Sequence, residues 1–162
     1  ITSGDTFEPL IRAHQGAIRA FLRRLTRETA LADDLAQICF MKAYEQRHGL
    51  RESKAAKSWL FQIAYRSFID HQRKEARRRG LAKSHIDEDP LEAPAGLKMD
   101  IEAAMNSLPT ECRAVVILCL SYGMSHSEAA LATDLPLGTV KSHVSRGKDK
   151  LRTFLSAYEK VH

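Results

Sequence analysis

The chain has 162 residues, 44% of them hydrophobic, with 25 lysines and arginines against 20 acids and a formal net charge of +5. That is apolar material for one domain or two small ones, but the longest apolar run, Val115 to Leu120, falls far short of the roughly 20 residues that span a bilayer, and no signal-peptide pattern opens the chain. A soluble, cytoplasmic protein with a polyanionic partner is expected, and the opening at Ile1 rather than methionine implies a missing start.

Phe7, Leu10, Ile11, Ile18, Phe21, Leu22 and Leu25 recur at helical spacing, with Arg12, Arg19, Arg23 and Arg24 on the remaining surface, so a first core helix is expected there. A second begins within Thr29 to Asp33 and carries Leu31, Leu35, Ile38, Cys39, Met41 and Tyr44 on one apolar side. Asp33 and Asp34 fall in its first turns, where the helix dipole favours negative charge, and that is the plain explanation for both acids. Gln46 to Lys57 lacks periodicity and reads as a loop. Ser58 to Arg79 follows as a long helix with Trp59, Leu60, Ile63, Ala64 and Ile69 inward.

Charge divides the chain more sharply than periodicity does. Between Arg66 and Lys83 the bases Arg66, Arg73, Lys74, Arg77, Arg78, Arg79 and Lys83 meet only Asp70 and Glu75, and then Asp87, Glu88, Asp89 and Glu92 arrive with Pro90, Pro94 and Gly96. Such a stretch is a linker, set at 81–98, and by composition alone it is a solvated, flexible tether.

Beyond it, Ile101, Ala104, Met105 and Leu108 form the stripe of a helix starting at Met99, and Pro109 with Glu111 opens the next, which carries Val115, Val116, Leu118, Cys119 and Leu120. Ser125 and Glu128 have the spacing of a capping box, in which hydroxyl and carboxylate each satisfy an open N–H at a helix start. Thr133, Asp134 and Pro136 stop that helix within about three turns. The last helix runs from Leu137 with Val140, Val144, Leu151 and Leu155 on one side, while Thr139, Lys141, Ser142, His143, Ser145, Arg146 and Lys148 occupy mostly the other faces. The pair reads as a helix-turn-helix whose second member enters the major groove; an ordinary hairpin with a solvated basic face is the alternative. Lys141, Arg146, Lys148, Lys150 and Arg152 against the single acid Asp149 favour the DNA reading.

No strand pattern occurs, so the fold expected is all-α: two small helical domains, 1–80 and 99–162, joined by the flexible acidic linker, the second containing the helix-turn-helix. Cys39, Cys112 and Cys119 are an odd set without a C-x-x-C pair, and no two histidines share a helical ligand spacing. Buried reduced thiols, no metal and no cofactor are expected. A Gly-rich phosphate loop and a catalytic triad spacing are both lacking, so an enzyme has no support.

The segments ADDLAQICFMKAY (Ala32 to Tyr44), SWLFQIAYRSFIDHQRKEARR (Ser58 to Arg78), LPTECRAVV (Leu108 to Val116) and LPLGTVKSHVSRGKDKLR (Leu135 to Arg152), in this order and with an acidic linker between them, resemble the bacterial sigma factors of the extracytoplasmic-function (ECF) type. The resemblance implies a transcription initiation factor, without activity alone, that binds core RNA polymerase and gives it promoter specificity. It implies that Asp33, Asp34 and Gln37 contact the polymerase clamp. Arg66, Ser67 and Asp70 would then read an exposed minus-ten base, and Arg73, Lys74 and Arg77 would hold phosphates. Thr139, Lys141, Ser142, His143, Ser145 and Arg146 match the major-groove helix that reads the minus-thirty-five element. An anti-sigma factor, often membrane-tethered in such proteins, is implied as a further partner, and no small-molecule substrate is.

The sequence departs from the family pattern at several of these positions. Ile38 stands where glutamate is usual, so apolar packing is expected in place of one polar clamp contact; Arg66 replaces a common asparagine, which leaves the preferred minus-ten base open. Asp134 takes a turn position usually held by glycine, and His143 one usually held by arginine. Trp59 has two readings, a melting wedge or a core side chain. The competing function is a one-component helix-turn-helix regulator that binds a palindromic site as a dimer.

Overall fold

The computed structural model describes residues 4–50, 55–80 and 97–161, and all the regular structure among them is helical. The helices fall into two compact units. The first contains α1 (Gly4–Thr26), α2 (Thr29–Glu45) and α3 (Ala56–Arg78). The second contains α4 (Leu97–Asn106), α5 (Thr110–Val116) with a π-helical turn over Ile117–Ser121, α6 (His126–Thr133) as far as Ala130, and α7 (Leu137–Val161). No helix among the described residues is long and apolar enough to cross a membrane. The acids Asp87, Glu88, Asp89 and Glu92 of the expected linker lie outside the described residues; α4 starts at Leu97, two residues ahead of the start expected at Met99.

In the first unit Ile18, Phe21, Leu22 and Leu25 of α1 and Leu60, Phe61, Ala64 and Phe68 of α3 are all buried, with Phe21 and Phe61 edge to face at 5.2 Å. Burial of each leucine, isoleucine or phenylalanine among them stabilises by about 1.5–3 kcal/mol before chain entropy is subtracted. Arg27 closes α1 in the left-handed conformation, φ +59°, with its N–H donating to the Arg23 carbonyl at 2.8 Å. The Cys39 thiol donates to the Leu60 carbonyl at 3.7 Å, and burial pushes its pKa up to about 12, so it stays a protonated packing group.

The orientation of α2 differs from the sequence expectation. Ala32, Leu35, Ala36, Cys39 and Ala43 are its buried face, whereas Ile38, Met41 and Tyr44, expected inward, are 41%, 64% and 51% exposed. Alanines four and seven apart let α2 approach its neighbours closely around Leu35 and Cys39, and Ile38, Met41 and Tyr44 are turned out. Asp33 and Asp34 also lie past the first turn, so they do not act as capping acids. In α3, Trp59 and Ile69 are only partly buried, while Phe61, Tyr65 and Phe68 carry the core instead.

In the second unit α5 is buried on nearly every side, through Cys112, Arg113, Ala114, Val115 and Val116, and its continuation adds Ile117 and Leu118; Leu120, expected inward, is exposed. Arg113 donates to the carbonyls of Asn106 and Leu108 at 3.4 Å each, a cation placed against the open carbonyls that end α4. Gly123, φ +65°, supplies the left-handed residue that ends the π turn. The capping box forms as its spacing requires: the Ser125 N–H donates to Glu128 Oε1 at 2.8 Å and the Glu128 N–H to Ser125 Oγ at 3.0 Å. Asp134 adopts φ +62°, the left-handed turn that glycine would take more easily, and the Leu135 N–H returns to the Ala130 carbonyl at 3.2 Å.

Candidate functional site

Three exposed helix faces carry the chemistry. On α2, Asp34, Gln37, Ile38 and Met41 follow one another at helical spacing on the outer surface. Phe40, Met41, Tyr44 and Glu45 line a shallow, mostly apolar depression beside them. Tyr44 is fixed by the edge of Phe7 at 5.4 Å and by the Arg47 guanidinium 3.9 Å above its ring. Asp33 is held back from this face by Arg19 at 3.5 Å. An acid and an amide beside three exposed apolar side chains make a surface suited to another protein.

On α3, Arg66, Asp70, Arg73, Lys74 and Arg77 recur three and four residues apart and are all exposed, forming one mostly basic stripe. Asp70 has Lys42 of α2 at 3.9 Å. Ser67 does not join them. It is 3% exposed and its hydroxyl donates to the Ile63 carbonyl at 2.9 Å, so the side chain expected at a base is spent inside the helix.

On α7, Val140 and Val144 are buried, and Lys141, Ser142, Ser145 and Arg146 are exposed together at helical spacing, with Thr139 partly buried at their edge. A short polar helix-terminal surface with two cations fits a groove of nucleic acid. His143, expected among them, is 7% exposed and lies behind them. Its Nε2 is 2.9 Å from Glu111 Oε2, its Nδ1 is 3.0 Å from Arg146 Nη2, and its own carbonyl accepts from the Cys112 thiol at 3.4 Å. Gly147 is buried where α7 crosses α5, against Val116. No group of histidine, cysteine and acidic side chains among the described residues could hold a metal ion.

Comparison with known proteins divides the chain in the same sequence order. The family model for Sigma-70 region 2 matches residues 10–78, and the model for Sigma-70 region 4 matches residues 98–151. The chain belongs to the sigma-70 family. Among its relatives is the ECF RNA polymerase sigma factor SigE of Mycolicibacterium smegmatis, 30% identical over 162 residues that span 94% of this chain and 63% of SigE. The ECF RNA polymerase sigma factor SigM of Bacillus subtilis is 28% identical over 91% of this chain and 93% of its own length. Among solved structures, the sigma factor RpoE of Bartonella quintana, crystallised with the anti-sigma factor NepR, matches with a TM-score of 0.76 and 28% identity, covering 93% of this chain and 96% of that one. This sigma factor is therefore of the ECF type.

The region 2 match contains both the α2 face and the α3 stripe, and the region 4 match contains α5, α6 and the exposed part of α7. Two features of this sigma factor escaped the reading of its sequence. The outward turn of Ile38, Met41 and Tyr44 was signalled by alanines at positions 32, 36 and 43, which mark a close-packed face. Glu111 looked like a first-turn acid, and only the fold brings it to His143, 32 residues away.

Proposed function

We propose that the chain is a transcription initiation factor that binds core RNA polymerase and directs it to specific promoters, acting in the cytoplasm under the control of an anti-sigma factor. The observation that carries the proposal is the pairing of the region 2 and region 4 matches with three separate exposed faces, one amphipathic and two basic. Residues 1–80 are assigned to polymerase binding and to recognition and melting of the minus-ten element, 81–98 to a linker, and 99–162 to the minus-thirty-five element. The anti-sigma assignment draws on the relation to RpoE, which was crystallised with NepR; a membrane tether on that partner follows from the family resemblance.

The faces divide the work by chemistry. Asp34, Gln37 and the apolar side chains around Met41 dock on the polymerase, with Asp33 at the margin. Arg73, Lys74 and Arg77 neutralise phosphates along the opened strand, while Arg66 and Asp70 face the base taken out of the stack. Ser67 shapes that part of α3 from inside. Lys141, Ser142, Ser145 and Arg146, with Thr139 at the edge, enter the major groove.

This division is open to a direct test. Alanine at Arg73, Lys74 or Arg77 should weaken initiation about evenly across promoters and lower the salt slope of binding by about 1 per lost phosphate contact. Alanine at Arg66 or Asp70 should change which base is preferred in the minus-ten element. The measurement is transcription by holoenzyme from promoters varied at single minus-ten positions, repeated over a range of salt. A base preference that moves with Arg73→Ala but not with Arg66→Ala would reverse the assignment.

A further inference from the structure

The groups around His143 determine one another's hydrogen bonding. A guanidinium has donors only, so the 3.0 Å contact between Arg146 Nη2 and His143 Nδ1 requires the lone pair on Nδ1. The ring proton then sits on Nε2 and donates to the Glu111 carboxylate at 2.9 Å. The imidazole is buried, and the Glu111 carboxylate that anchors it is half exposed. On the other side, Arg146 Nε lies 3.5 Å from the Ser142 carbonyl. One edge of the guanidinium, Nε and one N–H of Nη2, is thus directed at the protein. The edge formed by Nη1 and the second N–H of Nη2 remains on the exposed surface of α7.

That outer edge is the fork whose parallel N–H groups pair with O6 and N7 of a guanine in the major groove. An arginine on a helix surface ordinarily loses side-chain entropy when it takes up such a geometry, and a pre-oriented one loses less. We propose that Glu111 and His143 are positioning residues that fix Arg146 for bidentate readout of one guanine in the upstream promoter element. Neither touches DNA; both act through Arg146. The inference rests on the assignment of α7 to the minus-thirty-five element and adds to it the base and the supporting groups.

The test uses holoenzyme assembled from the full chain and the host core polymerase, with a duplex promoter library randomised over the upstream element and sequencing of the templates transcribed. Arg146→Ala should reduce the preference for guanine at one position by about tenfold or more, the scale of a lost bidentate pair. Glu111→Ala and His143→Ala should each reduce the same preference at the same position several-fold, and neither should reduce it further in an Arg146→Ala background. Glu111→Gln keeps an acceptor for Nε2–H and should retain most of the preference. If His143→Ala fails to fold, Glu111→Ala carries the same expectation from a half-exposed site. Uniform loss across all templates, losses that add in the double variants, or an unchanged preference in Glu111→Ala and His143→Ala while Arg146→Ala loses it would each overturn the relay. No change in preference with Arg146→Ala would overturn it too, and would remove Arg146 from the proposed upstream contacts.

Discussion

Asp34→Arg should abolish binding to core RNA polymerase while leaving the helical content and melting temperature of the free chain nearly unchanged. Asp34 is exposed on the outer face of α2, next to Gln37, Ile38 and the 64% exposed Met41. A charge reversal at an exposed position away from packing and caps shifts stability by no more than about 0.5 kcal/mol. In an interface the same reversal removes a favourable contact and sets like charge against the partner's cations, which costs several kcal/mol and is enough to lose a complex. Asp33 provides the contrast. It pairs with Arg19 at 3.5 Å, so its replacement should disturb α1 against α2 at least as much as it disturbs docking. Fluorescence anisotropy of the labelled chain against core polymerase, beside thermal melts of both variants, measures the two effects separately. Core binding retained by Asp34→Arg would move the docking surface away from this face of α2.

Gly147→Ala should destabilise the second unit even though alanine is the better helix former by about 1 kcal/mol. A Cβ at this position would be driven into the side chain of Val116, which is fully buried and, being β-branched, has little rotamer freedom to move aside. Overpacking of this kind costs about 1–3 kcal/mol. It exceeds the propensity gain unless α7 shifts bodily, and a shift would carry Arg146 and Ser145 with it. For a unit of this size a net loss of up to about 2 kcal/mol corresponds to a melting temperature lower by up to about 15 °C. Promoter-specific transcription should fall alongside, most on templates that depend on the upstream element. Differential scanning calorimetry of the wild type and variant checks the sign, and equal or higher stability in Gly147→Ala would mean that the crossing of α5 and α7 is looser than described.

Where one interaction dominates locally, the sequence was sufficient. The Ser125 and Glu128 hydrogen bonds follow from chemistry within a few residues, whereas the left-handed Asp134 was legible only through the glycine that the family usually has at that turn. Apolar spacing alone could not say which side of α2 faces the core, because two stripes compete there. Small residues at Ala32, Ala36 and Ala43 flank Leu35 and Cys39 and win by allowing close approach, and Ile38, Met41 and Tyr44 are left outside. A hydrophobic face that a partner covers reads, in one chain, the same as a face that the core covers. Ser67 and His143 are buried, unlike the exposed site positions beside them, for a related reason. Each sits one residue from an exposed site position, Arg66 and Ser142, but one residue is about 100° of helix, enough to turn a polar side chain from the surface to the interior. Their polar atoms are then satisfied by the Ile63 carbonyl and by the Glu111 and Arg146 side chains, partners that a polar residue type does not reveal in advance. The cysteines were simpler: all three are free thiols whose pKa values burial raises, with Cys39 and Cys112 buried as expected and Cys119 only partly so.

In vitro transcription with purified core polymerase tests the central claim most directly. Core alone, core with this chain, and core with its Asp34→Arg variant would be compared on a library of promoter fragments from the host genome, with start sites mapped. Initiation from a small set of promoters that requires the wild-type chain, and is lost with Asp34→Arg, is the predicted result. Tight binding of the free chain to a palindromic duplex as a dimer, with no start site gained when core polymerase is added, would contradict it.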